Sequence, residues 1–164
     1  MSRFTRTELL LGPEAMARLQ EATVVVCGLG AVGSYATEAL ARAGVGTLRL
    51  VDFDVVQESN LNRQLYALDS TLGQSTVAVA CRRVRDINPD CRVEGMETFI
   101  DDEALPSVVA GKPDVLIDAI DSLNPKVNLL VHSVRGHPAV ISSMGAATRT
   151  DPSAIGVADI SRTE

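Results

Sequence analysis

The pattern G-x-G-x-x-G, formed by Gly28, Gly30 and Gly33, follows directly on the apolar stretch TVVVC. The first glycine of such a pattern permits a tight turn, the second lets the backbone approach phosphate groups, and the third lets a helix pack closely on a strand. The helix that follows offers unpaired N–H groups and a positive dipole end to an anion. Because a predicted strand precedes the pattern and a predicted helix follows it, we interpret it as a phosphate-binding turn rather than a purely structural one.

An acidic and polar segment follows the second apolar stretch, TLRLV. Asp52 stands where dinucleotide-binding folds place the carboxylate that holds a ribose. A second acid and a polar run come next: Asp54, Ser59, Asn60, Asn62, Arg63 and Gln64. Arginine makes forked contacts with phosphate oxygens. A hydride-transfer site has no need of such a set, whereas a nucleotide that loses pyrophosphate does, because charge gathers on the leaving group. The segment therefore favours ATP over NAD.

Two further carboxylates, Asp118 and Asp121, lie at and just beyond the end of the fourth predicted strand. Carboxylates beside a nucleotide are natural ligands for Mg²⁺, which is held through one or two carboxylates and the phosphates. The alternative is that Asp121 or Ser122 only caps the helix that starts near Asn124. We expect Asp121 to take part in metal or ATP binding because the strand places it at the functional edge of the sheet.

The elements that must position these residues alternate between strands and helices along the whole chain. This alternation is typical of βαβ units and predicts an α/β, Rossmann-like, doubly wound and mainly parallel sheet with helices on both faces. Residues 1–164 are expected to form a single ATP-binding domain. The lack of a helix after the last strand predicts that the natural protein continues further. The predicted strands are 23–28, 47–52, 91–97, 114–120 and 138–145, with 154–160 as a candidate sixth, and the predicted helices are 12–22, 29–45, 74–88, 101–111 and 124–136.

Composition bounds the function classes. The chain has 164 residues, is 46% hydrophobic and has 3% aromatic residues, so aliphatic side chains must build its core. It lacks an apolar stretch of roughly 20 residues and a signal-peptide pattern, so we expect a cytoplasmic protein without a membrane segment. Cys27, Cys81 and Cys91 lack the spacing of a disulfide framework or a zinc site. The net charge of −6 argues against a broad nucleic-acid-coating surface but leaves room for a local patch.

Taken together, the motifs resemble the ubiquitin-activating-enzyme-like (ThiF-type) adenylyltransferase superfamily. Its patterns G-x-G-x-x-G, D-x-D-x-V-x-x-S-N-L-x-R-Q and D-x-x-D are matched by residues 28–33, 52–64 and 118–121. Within it, the stretches DAIDSLNPKVNLL and SSMGAATRTDPSAIGVADISRTE most resemble the tRNA threonylcarbamoyladenosine dehydratases. The branches that activate sulfur-carrier proteins typically carry zinc-binding Cys pairs, and this sequence has none.

This resemblance implies a reaction and its cofactors. ATP adenylates the carboxylate of a threonylcarbamoyl group on a tRNA adenosine, and attack from within the same modification then gives a cyclic product with net loss of water. The resemblance implies Mg²⁺ beside ATP, tRNA as substrate and, in some relatives, a sulfur-relay protein. The net charge sits uneasily with a tRNA enzyme, because Lys and Arg contacts to phosphate supply most of such affinity. A basic surface in a further C-terminal segment would resolve this tension.

Site residues carry over only where the motif matches. Backbone N–H groups of Gly30 and Ala31 are implied to contact the nucleotide, and Asp52 the ribose. The ATP site is implied to include Ser59, Asn60 and Arg63, with Asp121 binding Mg²⁺ or orienting the phosphates. The match of Arg6 to an arginine that enters the partner subunit's ATP site implies a homodimer.

One position departs from the superfamily pattern. The superfamily has a lysine on the helix after the polar loop, and Thr76 stands at that position. Threonine offers one neutral hydrogen bond instead of a point charge for phosphates. We therefore expect impaired chemistry with ATP binding retained, whether Thr76 is a natural variant or an engineered change. Lys126 is a candidate to compensate in part, the alternative being a solvated side chain.

Three alternatives to a tRNA dehydratase stay open. An adenylyltransferase for the C-terminus of a small carrier protein would share the ATP site. An NAD(P)-binding protein would explain the glycines and Asp52 but would leave Asn60, Arg63 and Asp121 without a role. A scaffold without catalysis would keep ATP binding or the dimer, and Thr76 is the residue that suggests it.

Overall fold

A computed structural model of the chain describes residues 2–134, 139–146 and 148–162. Within these residues, five parallel strands form one sheet in the order β3-β2-β1-β4-β5. The strands are β1 (Thr23–Cys27), β2 (Thr47–Asp52), β3 (Arg92–Glu97), β4 (Val115–Asp118) and β5 (Ala139–Ser142). The helices are α1 (Thr5–Leu11), α2 (Pro13–Glu21), α3 (Ala31–Ala43), α4 (Thr76–Ile87), α5 (Leu105–Val108) and α6 (Leu123–Val134).

The central strand β1 sets the register of the sheet. Cys27 at its carboxyl end pairs with Val51 of β2 on one side and with Asp118 of β4 on the other. The carboxyl ends of three neighbouring strands are therefore level. In open α/β sheets, ligands bind outside these ends, where the strand order reverses.

Helices cover both faces of the sheet, as predicted. On one face, Val26 and Leu50 of the strands pack with Ala80 and Val84 of α4. On the other face, β-strand residues pack with α5 and α6 through Leu105, Val108 and Leu129. Burying one such aliphatic side chain contributes about 1.5–3 kcal/mol, so both faces stabilise the sheet. The predicted doubly wound α/β fold is confirmed.

Local signals explain where two long helices begin and end. Helix α3 ends at Gly44, whose φ of 97° is left-handed and suits glycine. Helix α4 begins after Ser75, whose hydroxyl oxygen accepts a hydrogen bond from the Ala78 N–H at 3.2 Å. It ends before Pro89.

Other predicted boundaries were wrong. The predicted helix 101–111 is reduced to Leu105–Val108, because the Asp101 carboxylate accepts the N–H groups of Glu103 and Ala104 and holds a turn there instead. Helix α1 was not predicted, since its leucines are consecutive and exposed rather than at helical spacing.

The predicted start of the sixth helix and the predicted sixth strand were also wrong. Helix α6 begins at Leu123 rather than with Asn124 as its cap, and Pro125 stands third, where its missing N–H breaks no helical bond. Its predicted end at 136 and residue 138 of the fifth predicted strand fall outside the described residues. Residues 154–160 form no strand, and Ile155 and Val157 are exposed.

Two observations bear on the expectations from composition. In the part of the chain described, we find no helix that is both long and apolar enough to cross a membrane. Cys27, Cys81 and Cys91 are buried and carry free thiols, so they pack as small apolar side chains.

Candidate functional site

The glycine turn between β1 and α3 is shaped by close backbone contacts. Gly28 has a φ of 86°, and a Cβ there would lie 2.7 Å from the Ala119 carbonyl oxygen. A Cβ at Gly33 would lie 1.7 Å from the Gly28 carbonyl oxygen. At Gly30 the nearest protein atom to a Cβ would be the Gln64 Nε2 at 3.5 Å, which is ordinary contact. The protein itself therefore excludes side chains at Gly28 and Gly33, while the bare backbone of Gly30 leaves room for a ligand.

Helix α3 points its N-terminus at this turn. The Ser34 N–H donates to the Gly30 carbonyl at 3.0 Å and begins the helical ladder. The N–H groups before it have no partner inside the helix. They and the dipole of this 13-residue helix favour a negative group at Gly30 and Ala31.

Asp52 joins the end of β2 to the glycine turn. Its Oδ2 accepts the Leu29 N–H at 2.6 Å, and its Oδ1 accepts the N–H groups of Phe53 and Asp54 at 2.7 and 2.9 Å. All three donors are neutral, so they fix the orientation of the carboxylate without cancelling its charge. Asp52, the residue predicted to bind a ribose, is thus held in place beside the glycine turn.

A cleft of about 290 Å³ opens at the carboxyl ends of β1, β2 and β4 and beside the residues that follow β3. Most of the predicted site residues line it, namely Gly28, Gly30, Ala31, Asp52, Asp54, Arg63, Asp121 and Ser122. Gly33 lies behind the cleft in helix α3. Besides Gly33, four other predicted residues do not line the cleft: Arg6, Ser59, Asn60 and Thr76.

The polar loop after β2 orients Arg63. The Arg63 Nη1 donates to the Ser59 carbonyl at 2.7 Å and to the Asn62 Oδ1 at 2.8 Å. The Asn60 Oδ1 accepts the Gln57 N–H at 2.9 Å. In this structure Ser59 and Asn60 shape the turn that presents the guanidinium to the cleft.

Three carboxylates share the cleft. Burial raises the pKa of Asp54 above its usual value, and the negative charges of Asp52 and Asp121 raise it further. Among the described residues there is no group of three or more His, Cys, Asp or Glu side chains placed to hold a metal by themselves. Asp52, Asp54 and Asp121 thus concentrate negative charge in this part of the cleft.

Asp118 does not join Asp121 as the paired-carboxylate interpretation predicted. It is fully buried, and its Oδ2 lies 2.6 Å from the Lys126 Nζ. Lys126 also donates to the Ser143 carbonyl at 3.0 Å and is only 7% exposed. Lys126 is thus not solvated, the alternative considered from the sequence, and its charge is paired with Asp118 rather than free to contact phosphates.

The position of Thr76 bears on the missing lysine. Thr76 begins α4 and is 2% exposed, and its N–H donates to the Asp54 carbonyl at 3.0 Å. Thr76 thus contacts Asp54, which lines the cleft, although Thr76 itself does not line it. Arg6, by contrast, lies on the exposed side of α1.

Sequence reasoning missed the apolar part of the cleft. Phe53 and Phe99 meet edge to face with ring centroids 5.1 Å apart, and Ile100 and Pro125 complete this part of the wall. The available signal was the stretch TFI directly after the third strand, where the carboxyl ends of parallel strands meet. Such a wall suits the flat face of a base.

Comparison with known proteins decides the family, because residues 3–161 match the ThiF family. The chain belongs to the ThiF family. The tRNA threonylcarbamoyladenosine dehydratase of Bacillus subtilis (strain 168) is 44% identical over 163 residues, which cover 99% of this chain and 64% of that protein. The molybdopterin-synthase adenylyltransferase of Salmonella typhimurium (strain LT2) is 37% identical over 153 residues, covering 92% of this chain and 60% of that one.

A solved structure extends this ThiF comparison. The crystal structure of the E. coli tRNA N6-threonylcarbamoyladenosine dehydratase TcdA in complex with ATP has a TM-score of 0.95 and 37% identity, covering 98% of this chain and 66% of TcdA. The predicted superfamily and fold are thereby confirmed. The chain spans about 60–64% of the length of the curated bacterial relatives that it matches.

Proposed function

We propose that this ThiF-family chain is the ATP-binding part of a tRNA threonylcarbamoyladenosine dehydratase. One observation carries the proposal: the fold gathers the glycine turn, Asp52, Arg63 and Asp121 around a single cleft of about 290 Å³. The likeness to a structure in complex with ATP supports ATP as the ligand of that cleft. The names of the relatives support a tRNA substrate.

In the proposed adenylation step, each group of cleft residues has a different role. The N–H groups of Gly30 and Ala31 hold phosphate oxygens, and Asp52 accepts hydrogen bonds from the ribose hydroxyls. A carboxylate oxygen of the threonylcarbamoyl group attacks the α-phosphorus, and the bond to pyrophosphate breaks. Arg63 stabilises the charge that gathers on the pyrophosphate. An atom within the same modification then attacks the activated carbonyl, and AMP leaves with the oxygen that the substrate loses.

The carboxylates of the cleft make Mg²⁺ the natural companion of ATP. Asp121, with Asp54 nearby, would hold the ion, and crowding of negative charge at Asp54 is the feature of this chain that a cation relieves. When bound, the ion neutralises phosphate charge.

Further parts of the proposal concern assembly and partners. We propose a homodimer in which Arg6 reaches the partner's cleft, a position consistent with its exposure on α1. A sulfur-relay protein is a candidate partner, and the tRNA substrate places the proposed activity in the cytoplasm.

Thr76 is proposed to slow the chemistry of this chain. Loss of one preorganised charge at a transition state typically costs about 10²–10³ in rate. Since Lys126 is bound to Asp118, it leaves the place of the missing lysine unfilled. ATP binding should persist, because the glycine turn and Asp52 are intact.

A second candidate function is adenylation of the C-terminus of a small carrier protein. The 37% identity to a molybdopterin-synthase adenylyltransferase over 92% of this chain favours it. It would use the same ATP cleft with a different acceptor.

The test supplies tRNA bearing threonylcarbamoyladenosine, ATP and Mg²⁺ and reads the nucleosides by mass spectrometry. We expect the Thr76→Lys variant to remove one water from the modification about 10²–10³ times faster than the unchanged chain. Ser70→Lys is the matched control, because it adds the same charge at an exposed position outside the cleft. Absence of water loss in all three proteins, together with pyrophosphate exchange driven by a carrier protein, would favour the second candidate.

A further inference from the structure

We propose that the buried ion pair between Asp118 and Lys126 acts as a clip that positions Asp121 in the cleft. This inference rests on the proposed ATP site and names residues that shape it without touching the nucleotide. Asp118 is the last residue of β4, and Lys126 lies in the first turns of α6. The seven residues between them, 119–125, comprise a loop, 119–122, and the first three residues of α6, and the ion pair joins the two ends of this segment.

Every polar atom of the clip has a defined partner. The Asp118 Oδ2 accepts from the Lys126 Nζ and from the Ser142 Oγ, both at 2.6 Å, and its Oδ1 accepts the Ile120 N–H at 3.1 Å. Lys126 also donates to the Ser143 carbonyl. The clip therefore ties the loop to β4, to α6 and to the end of β5 at once.

The loop that the clip closes forms one wall of the cleft. Its residues Ile120, Asp121 and Ser122 line the cleft beside the glycine turn. Its first residue, Ala119, packs so closely on that turn that a Cβ at Gly28 would lie 2.7 Å from the Ala119 carbonyl oxygen. A small shift of the loop would thus change both the reach of Asp121 and the shape of the phosphate turn.

The same loop also walls a second groove. This groove, of about 410 Å³, lies between residues 99–101 and the segment from Ser122 into α6, and it shares Phe99, Ile100, Ser122 and Pro125 with the nucleotide cleft. The segment therefore contributes to two concave surfaces, and loosening it would alter both.

A buried ion pair is a poor explanation for stability alone. Apolar residues of similar volume often hold a protein together equally well, whereas removing one charge leaves the other buried and unpaired. The Asp118 carboxylate accepts directional hydrogen bonds from an ammonium, a hydroxyl and a backbone N–H. Unlike apolar contacts, these bonds fix the orientation of the loop. We infer that Asp118 and Lys126 are positioning residues rather than catalytic ones.

The test compares Lys126→Met, the double variant Asp118→Asn/Lys126→Met and the unchanged chain. Hydrogen exchange of the amides in residues 119–125 reports loop order, and calorimetry reports the Kd of ATP with Mg²⁺. We expect Lys126→Met to speed exchange in this segment and to raise the Kd by about 10- to 100-fold, the usual effect of removing a group that orients a ligand-binding side chain. The double variant should recover the melting temperature but neither the slow exchange nor the affinity.

Arg49→Met is the matched control. It breaks the partly buried Arg49–Glu94 pair between β2 and β3, whose N–O distance is 2.7 Å and which is separated from the clip by β1. It should lower the melting temperature and leave loop exchange and the Kd unchanged. Recovery of exchange and affinity in the double variant, or unchanged exchange in Lys126→Met, would overturn the clip. The exchange measurement needs no nucleotide, so failure of the unchanged chain to bind ATP would count against the proposed function and not against the clip.

Discussion

Asp52 and Asp118 end the two strands that flank β1, yet Asp52 lines the cleft and Asp118 is fully buried. Three neutral backbone N–H groups hold Asp52, whereas the ammonium of Lys126 holds Asp118. Neutral donors leave the negative charge available to a ligand, and a cation cancels it. Between them, the thiol of Cys27 has a pKa raised by burial and by both carboxylates. Equivalent positions in a sheet can therefore take opposite roles, according to the charge of the groups that hold them.

We expect the largest effect from a substitution in the glycine turn, whose Leu29 N–H donates to Asp52. Gly33→Ala should destabilise the protein by about 3 kcal/mol, because the new Cβ overlaps the Gly28 carbonyl oxygen. We expect the melting temperature to fall by about 6–12 °C, measured by circular dichroism, and ATP binding to be lost. Gly156→Ala, where no atom lies within 4 Å of the new Cβ, should change neither. A folded Gly33→Ala protein with normal ATP affinity would show that the turn is not built as described.

We expect the next largest effect from removal of the Asp52 charge, which should weaken ATP binding. Asp52→Asn removes a charged acceptor worth about 1.5–3 kcal/mol, so the Kd of ATP should rise by about 10- to 100-fold. Titration calorimetry measures this change directly. Asp102→Asn, at an exposed position away from the cleft, should leave the Kd unaltered. Equal affinities for Asp52→Asn and the unchanged chain would remove the contrast with Asp118.

The smallest expected effect is a pH dependence of the melting temperature that arises from Asp54. Because the pKa of Asp54 is raised in the folded protein, its contribution to stability is present below its ordinary pKa and is lost as the pH rises through the folded value. Asp54→Asn should therefore melt about 1 °C above the unchanged chain near pH 7, with the gap closing toward about pH 4. Scanning calorimetry without nucleotide measures the gap, and Mg²⁺ with ATP should reverse its sign. A gap that does not vary with pH would contradict crowding of the three carboxylates.

The sequence predicted the part of the cleft around the glycine turn and Asp52 better than the part that follows β4. The spacing of Gly28, Gly30 and Gly33 and the position of Asp52 were sufficient to predict a turn and a strand end that lie together, since both follow from local strand–turn–helix geometry. The D-x-x-D spacing did not predict which of its two carboxylates, Asp118 or Asp121, is buried. The contact of Phe53 with Phe99 joins two strand ends that are distant in the chain, so the stretch TFI could indicate an apolar residue at the sheet edge but not its partner.

The local sequence predicted the alternation of strands and helices, the parallel sheet and the glycine turn, because periodic apolar residues and glycine spacing act over a few neighbouring residues. Only the structure shows that residues 154–160 form no strand and that Lys126 is buried against Asp118. The burial of Lys126 depends on a carboxylate in another element of the fold, which no periodic pattern predicts. A charge removed from water must find its counter-charge, so burial makes this pairing strict.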